Sequence, residues 1–540
     1  MGTLEFRGSR RGTRLYDGSR ALTAPDPEES ARRRLQAVGK THSALYLLFS
    51  PVFPFGIDEF LRDLPEGTRV AAIEAEREAF FSDTAAWNEL ARNPAVTILA
   101  GLPVEEARHA LEKTIETSRV RSVRPVWMTG AARRNRHYYE ALLTAAEEKL
   151  ALVWQNRATI ISFGRLWIRN LFLNLKELAF SIDHVDSLAQ KPIFLAGAGP
   201  SLEALSSFIL KQRSRVSLIA VDTALPFLLH IGAVPDAVVS VDAQHLNVKD
   251  LLPPPPENVK LLYDATAAPA FVRKFRRTNR FAFFSEFADT ALWELLKEAR
   301  VPVPRIEAGG SVGTTALLLA DRLRRRAGSP ALPILLGGVD FAFPPGQPHA
   351  RMTYTHILTL TQISRLQPLP FLAAHLRRKR LHTAAKGGGR VATDYVLAGY
   401  GAQLRSAASR FPTVFDMSSS GVDLGLPVIG ESEAEEILSE QRAEPRPVTA
   451  DESGTAPGPS PVDPFLIRRF LTQEEAALRE IASAIRERTE SEEAILHRLR
   501  RRDYVYYYFP DPEPKLEESY LRRIIASISY LLRSINKPVA

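Results

Sequence analysis

Between residues 190 and 345 the chain alternates short, almost wholly apolar runs with segments whose apolar residues recur every three or four positions. The runs fall at 192–196, 216–221, 237–241, 260–263, 281–284 and 333–336. Continuous apolarity over so few residues fits strands covered on both faces, as in a parallel sheet. The intervening segments carry helical stripes, such as Leu202, Leu205, Phe208 and Ile209 after the first run. The pattern predicts an α/β fold in which the central domain is Rossmann-like, with a doubly wound, mostly parallel sheet. On either side the texture changes. Residues 44–49 and 70–74 predict buried strands inside a mixed N-terminal accessory domain spanning 1–150, and 149–182 predict a connecting helical layer. The central domain then spans 151–430, and 441–463, rich in proline and glycine, reads as a flexible linker. A separate C-terminal domain, 464–540, predicts an α-helical hairpin. Its first helix is expected to start at a capping box of Thr472 and Glu475 and to carry Leu478, Ile481, Ile485, Leu496 and Leu499. Its second carries Leu521, Ile524, Ile525, Ile528, Leu531, Leu532 and Ile535. Tyr504, Tyr506, Tyr507 and Tyr508 are expected to pack the turn between them.

Ligands of open parallel sheets collect beyond the carboxyl ends of the strands, so the residues that follow each run are the chemical candidates. These are Asp222, Asp242, Asp264, Ser285 and Asp340. Three glycine turns occupy similar places: Gly197-Ala198-Gly199-Pro200-Ser201, Gly309-Gly310-Ser311-Val312-Gly313-Thr314-Thr315, and Gly337-Gly338-Val339-Asp340-Phe341. Glycine lets a backbone approach a ligand closely, and a helix N-terminus directs N–H groups and positive charge at an anion. A phosphate is therefore expected over the N–H groups of Gly199 and Ser201. Leu202 stands where a dinucleotide fingerprint has its third glycine, which disfavours a plain NAD site. No Gly-Lys-Ser/Thr follows any turn, so the P-loop reading fails.

Composition removes further classes. The 540 residues contain no cysteine, which excludes disulfides, thiolate metal sites and a thiol nucleophile. A formal charge of +8 comes mainly from arginine clusters, which read as solvated helix ends; no nucleic-acid-binding signature accompanies them, so no nucleic-acid partner is expected. No apolar stretch reaches membrane-spanning length, so membrane insertion is not expected and a cytoplasmic location is. The aspartates form no Asp-x-Asp pair, so no metal site is assigned.

Five ordered blocks carry a resemblance: Gly197 to Leu202, Asp222 to Leu225, Pro235 to Asp242, Gly309 to Ala316, and Gly338 to Phe343 with His349. Together they resemble the motility-associated-factor (Maf) glycosyltransferases that modify bacterial flagellin. The turn Gly197 to Leu202 and the segment Gly338 to Phe341 also look like those of bacterial sialyltransferases, and the central blocks resemble archaeal hydroxymethylpterin diphosphokinases. The Maf resemblance implies transfer of a nonulosonic acid, of pseudaminic or legionaminic type, from its CMP-activated form to Ser or Thr hydroxyls of flagellin. CMP-linked sugar is then a co-substrate, flagellin the protein partner, and no further cofactor is required.

The resemblance implies a nucleotide-sugar site at Gly197, Gly199, Pro200, Ser201, Asp222, Asp242, Ser311, Gly313, Thr314 and Gly338. Asp340 would support the sugar or its developing charge. A protein hydroxyl needs a base with a pKa of about 7, which suits histidine. His349 closes the fifth block and is the first candidate, His375 the second, with His356 and His382 as neighbours. One departure stands out: Ala342 and Phe343 occupy the place where both transferase families carry a phosphate-facing tyrosine, leaving Tyr354, Arg351 or a helix end to replace it. Two rivals remain, an ATP-dependent diphosphokinase and a non-catalytic flagellin-binding factor. The sequence leaves the assembly state open.

Overall fold

The computed structural model of the protein describes residues 3–65, 67–80, 84–118, 120–286, 290–344, 347–366, 368, 380–440 and 461–537. The chain divides into two compact units, Met1–Thr159 and Ile160–Ala540.

The first unit holds two sheets. Strands β1 (Leu4–Ser9), β2 (Gly12–Asp17) and β3 (Arg20–Ala21) form an antiparallel meander. Strands β4 (Ala44–Phe49), β5 (Arg69–Glu74), β6 (Val96–Ala100) and β7 (Ser122–Trp127) form a parallel sheet in the order β6-β5-β4-β7. All six residues of β4 are buried, as its unbroken apolar run requires of a central strand. The unit expected as a mixed accessory domain is thus itself wound in both directions from β4. The helix Arg136–Leu175 begins in this unit, and its residues from Ile160 onward belong to the second.

The second unit is built on a nine-stranded sheet. Its strands are β8 (Phe180–Ser181), β9 (Ile193–Ala196), β10 (Ser217–Val221), β11 (Ala237–Ser240), β12 (Lys260–Asp264), β13 (Arg280–Ser285), β14 (Arg305–Ile306), β15 (Ile334–Gly337) and, after a hairpin of β16 (Arg380–Ala384) and β17 (Arg390–Asp394), β18 (Val414–Asp416). The order is β14-β13-β12-β11-β10-β9-β15-β18, with β8 against β13, and every pairing in this sheet is parallel. This is the doubly wound sheet that the apolar runs predict. Successive residues alternate between its faces. Val238, Leu261, Tyr263 and Ala282 join the core formed with Phe172 and Phe271, whereas Val239, Leu262, Phe281 and Phe283 join the core formed with Leu317 and Leu323 of the helix Val312–Arg326.

The C-terminal segment departs from expectation. Instead of a separate hairpin, the helices Pro464–Glu487, Glu492–Arg500 and Glu518–Asn536 bury Leu478, Tyr504, Ile524 and Leu531 in the same core as Phe172 and Tyr263. Their apolar stripes need a partner, and one face of the sheet supplies it. Tyr504, Tyr506, Tyr507 and Tyr508 are all buried there, as packing groups. The first helix starts earlier than the capping box suggests, at Asp463, whose carboxylate accepts from the Phe465 N–H at 2.8 Å, so Thr472 lies mid-helix. It ends at Arg488, which has a positive φ, and Ser491 caps a second helix that carries Leu496 and Leu499. Residues 441–460 of the expected linker lie outside the described residues; Val462 is buried, its N–H bonded to the Ala179 carbonyl.

Candidate functional site

After β8, paired with β13, the chain reaches the middle of the large sheet at β9, proceeds outward through β10, β11, β12, β13 and β14, and returns to the other side of β9 as β15. The topological switch point therefore lies between β9 and β15, where two of the three glycine turns meet. The Gly197 N–H donates to the Gly337 carbonyl and the Gly199 N–H to the Gly338 carbonyl, both at 2.7 Å. A methyl group on Gly197 would stand 2.4 Å from the Gly338 oxygen, so the two backbones touch and only glycine fits.

This contact corrects the expected phosphate position. The Ser201 N–H donates to Asp340 Oδ2 at 2.9 Å, the Ser201 hydroxyl donates to Asp340 Oδ1, and a Cβ on Gly199 would fall 2.5 Å from the same carboxylate. The anion in the first turn is thus the protein's own Asp340, and the N–H groups of Gly199 and Ser201 are already engaged. Pro200 opens a 3-10 turn, Pro200–Leu205, rather than an α-helix; the helix Ser206–Gln212 starts after it, although Leu202, Leu205, Phe208 and Ile209 are all buried as their stripe predicts. Asp340 is 4% exposed, and burial raises its pKa against the opposing charge of Lys386. Its role here is to lock Gly338 and Ser201 together. Lys386 itself, unnoticed in the sequence, is paired with Asp416 at 2.8 Å and donates to the Val339 carbonyl at 3.0 Å.

The second turn keeps donors available. Ser311 caps the helix Val312–Arg326 by accepting from the Thr314 N–H at 3.2 Å, and its hydroxyl lies 3.0 Å from that of Thr314. Both hydroxyls serve the cap. The N–H groups of Val312 and Gly313 precede the first intrahelical bonds and have no hydrogen-bond partner among the described residues. A Cβ on Gly313 would meet nothing nearer than 3.9 Å, with Val339 and Phe341 the flanking side chains from the β15 end. Phe341 holds a left-handed φ of 45°, a costly state for an aromatic residue that Thr393 helps fix by donating to its carbonyl at 2.7 Å.

Carboxylates gather at the ends of β10 and β11. Asp222, 2% exposed, accepts from Ser240 Oγ at 2.8 Å and from the Thr223 N–H at 2.9 Å; burial pushes its pKa up to about 6. Asp242 accepts from the Gln244 N–H at 2.8 Å, and partial burial raises its pKa too. Asp250, which sequence reasoning missed, completes the group. Burial first, and then the charges of Asp222 and Asp242, push its pKa up to about 7. Nothing in its local sequence marks it, because a 3-10 turn over His245–Leu251 delivers it. Among the described residues, no three carboxylate or imidazole groups are placed to share a metal ion. Asp264 and Ser285 are spent on structure: Asp264 accepts from the Thr266 N–H at 2.7 Å and the Ser285 N–H at 2.8 Å, tying β12 to β13.

Because the folded pKa of Asp250 lies above its unfolded value, its contribution to stability is present at pH 4 and lost as pH rises through about 7. An Asp250→Asn protein is expected to exceed the native chain in urea unfolding by more at pH 8 than at pH 5. Each unit of raised pKa opposes the ionised form by about 1.4 kcal/mol. Equal midpoints at pH 8 would show that Asp250 ionises without strain.

The loop after β15 folds back onto the first turn. The Ala350 N–H donates to the Ala198 carbonyl at 2.9 Å, and Glu203 accepts from Gln347 Nε2 and the Arg351 N–H, both at 2.6 Å, and from Arg351 Nε at 2.8 Å. His349 is thereby set beside Gly197–Ser201. It is half-buried, its Nδ1 has no hydrogen-bond partner among the described residues, and burial lowers its pKa, which keeps the imidazole neutral at pH 7. Helix Tyr354–Thr361 follows, and Lys249 lies 5.4 Å from the centre of the Tyr354 ring, which places Tyr354 one residue away from Asp250 along that contact. His356 lies on this helix, with its pKa lowered mainly by burial. His382 lies on β16. His375 lies outside the described residues. The structure thus brings Gly197, Gly199, Pro200, Ser201, Gly338, Asp340 and His349 together at the switch point.

Comparison with known proteins agrees with this geometry. Residues 168–346 match the family model described as 6-hydroxymethylpterin diphosphokinase MptE-like. The whole chain is similar in fold to a Maf glycosyltransferase from Magnetospirillum magneticum AMB-1, with a TM-score of 0.57 and 12% identity, covering 99% of this chain and 86% of that one. The fold is therefore that of a Maf glycosyltransferase, and the central residues match the MptE-like model. An uncharacterised protein of Treponema pallidum (strain Nichols) is 28% identical across 98% of this chain and 93% of its own length. A second from the same organism is 31% identical over 123 residues, 21% of this chain and 59% of that protein.

Proposed function

We propose that this protein is a glycosyltransferase that moves a nonulosonic acid from a CMP-activated donor to Ser or Thr hydroxyls of flagellin in the cytoplasm. The observation that carries the proposal is the presence, at the carboxyl edge of one sheet, of the free N–H groups of Val312 and Gly313 at a helix start and of the neutral His349, whose Nδ1 has no partner among the described residues. The likeness in fold to a Maf glycosyltransferase supports it.

In this reading the CMP phosphate binds the N–H groups of Val312 and Gly313, where the helix dipole stabilises the negative charge of departing CMP. Asp222, Asp242 and Asp250 face the ribose and sugar hydroxyls. With a pKa of about 7, Asp250 is in part protonated at neutral pH and donates as well as accepts. His349 takes the proton of the acceptor hydroxyl as its oxygen bonds to the anomeric carbon and the bond from that carbon to the phosphate oxygen breaks, leaving with CMP.

Isothermal titration with CMP and ATP, with and without magnesium, tests the reading. A Gly313→Val protein, whose side chain crowds the helix start between Ser311, Val339 and Phe341, is expected to bind CMP at least about tenfold more weakly, a loss of about 1.4 kcal/mol. Unchanged CMP affinity would remove the helix N-terminus from the site. The match of residues 168–346 to the MptE-like family favours one alternative, an ATP-dependent diphosphokinase, for which ATP with magnesium would bind and CMP would not.

A further inference from the structure

The N-terminal unit contains a cavity of about 230 Å³ that the transferase reading leaves unused. It opens at the carboxyl ends of β4 and β7. Pro51, Phe53 and Phe55 follow the first strand and Met128, Thr129 and Gly130 the second, while Thr23 and Ala24 close one side. The remaining wall is one face of the helix Pro27–Gln36, through Pro27, Ser30, Ala31 and Arg34. In the sheet order β6-β5-β4-β7, β4 comes first in the chain, so the cavity occupies the switch point of this second parallel sheet, where ligands of such sheets bind. The backbone there is held in costly conformations: Ser50 and the β-branched Val52 have φ values of 49° and 58°.

The wall chemistry is selective. Phe53 and Phe55 are stacked, 5.0 Å between centroids and 20° between planes, and form an aromatic part of the wall. Ser30 adds a hydroxyl from the helix, and opposite it the Thr129 hydroxyl donates to the Ser50 carbonyl at 2.9 Å and accepts from the Ala131 N–H at 3.3 Å, which fixes that wall. Behind it, Ser50 Oγ donates to Glu74 at 2.8 Å and Tyr139 donates to the same carboxyl at 2.8 Å, fixing the arrangement. Thr23, 5% exposed, accepts from the Leu15 N–H at 3.1 Å, and its own hydroxyl proton has no acceptor among the described residues. The Thr23 donor and the Ser30 hydroxyl thus stand beside an aromatic pair.

No Asn, Gln, Asp or Glu lines the cavity, so it offers no side-chain amide or carboxylate to the edge of a nucleobase. The volume is below the roughly 300–1,000 Å³ of sites for drug-sized ligands, which excludes a nucleotide sugar and fits one ring. Hydroxyl groups that donate and accept, against aromatic rings whose faces carry partial negative charge and meet polarised C–H groups, match a pyranose. The exposed Arg34 at the rim tolerates one carboxylate. We propose that the N-terminal unit binds a single sugar ring, neutral or bearing one carboxylate, in the cavity between the ends of β4 and β7. This site stands apart from the proposed donor site and does not depend on it.

Saturation-transfer NMR on the full chain tests the proposal, with N-acetylglucosamine as the neutral probe and N-acetylneuraminic acid as the anionic one. The native protein is expected to transfer saturation to at least one sugar. Ser30→Leu, which fills the cavity from an accommodating helix, is expected to cut the signal at least fivefold with the melting temperature preserved; Ala24→Leu, on the opposite loop, does the same should the first variant fold poorly. Neither excess CMP nor Asp222→Asn is expected to change it. No transfer to either sugar, or transfer that persists in both filled variants, overturns the proposal. A signal removed by CMP or by Asp222→Asn, and indifferent to Ser30→Leu, belongs to the donor site and overturns it equally.

Discussion

A His349→Ala protein is expected to lose glycosyl transfer by about 10²–10⁴-fold while keeping its affinity for CMP. On the proposed mechanism, the magnitude follows from removing the group assigned to take the acceptor proton, and the unchanged affinity from the donor's proposed contacts lying at the Val312–Gly313 helix start instead. The native pH profile carries a second signature. Burial lowers the His349 pKa below the ordinary histidine value, so activity should hold from neutral pH downward, and fall only once pH drops below that lowered value. His349→Gln fills the same space without a basic nitrogen and should be as inactive as the alanine variant. Near-native turnover in either would move the base to His356 or to another residue.

Lys386→Met is expected to destabilise the second unit by about 3–5 kcal/mol, the largest stability effect among these predictions. Lys386 and Asp416 have side chains only 1% exposed, and the lysine also moderates the nearby Asp340 carboxylate. Removing the cation strands the Asp416 carboxylate unpaired in the interior. Replacing both partners, with Lys386→Met and Asp416→Asn, should recover most of the loss, since the cost belongs to the unpaired charge. The amide oxygen introduced by Asp416→Asn would still accept from the Ser418 N–H, which now lies 2.9 Å from Asp416 Oδ1. Urea unfolding measures all of this, and an additive double variant would contradict the pairing.

The apolar runs revealed the central sheet because strands buried on both faces leave a mark that does not depend on their partners. The runs at 216–221 and 260–263 became β10 and β12 almost residue for residue. Local signals served less well where two rules competed. Thr472 and Glu475 have the spacing of a capping box, yet Asp463 and Pro464, well upstream, start the helix, and Glu475 instead pairs with Arg479 along its surface. The site was legible as a set of strand ends and illegible as a set of contacts. Ser201 and Asp340 were both identified, but the bond between them joins residues 139 apart, and nothing local shows that one silences the other's access to phosphate. Asp250 and Lys386 went unseen for a related reason: each matters through what it faces across the fold, not through its neighbours in the chain.

Glu203 carries one further consequence. It lies in the 3-10 turn that follows the first glycine motif, and its two oxygens hold Gln347 and Arg351 on either side of His349. Motif and histidine therefore form a single transplantable cassette. A chimaera that receives the Gly197–Ser201 turn from a relative, without an acid at 203 and its basic counterpart at 351, inherits the hinge but not the latch.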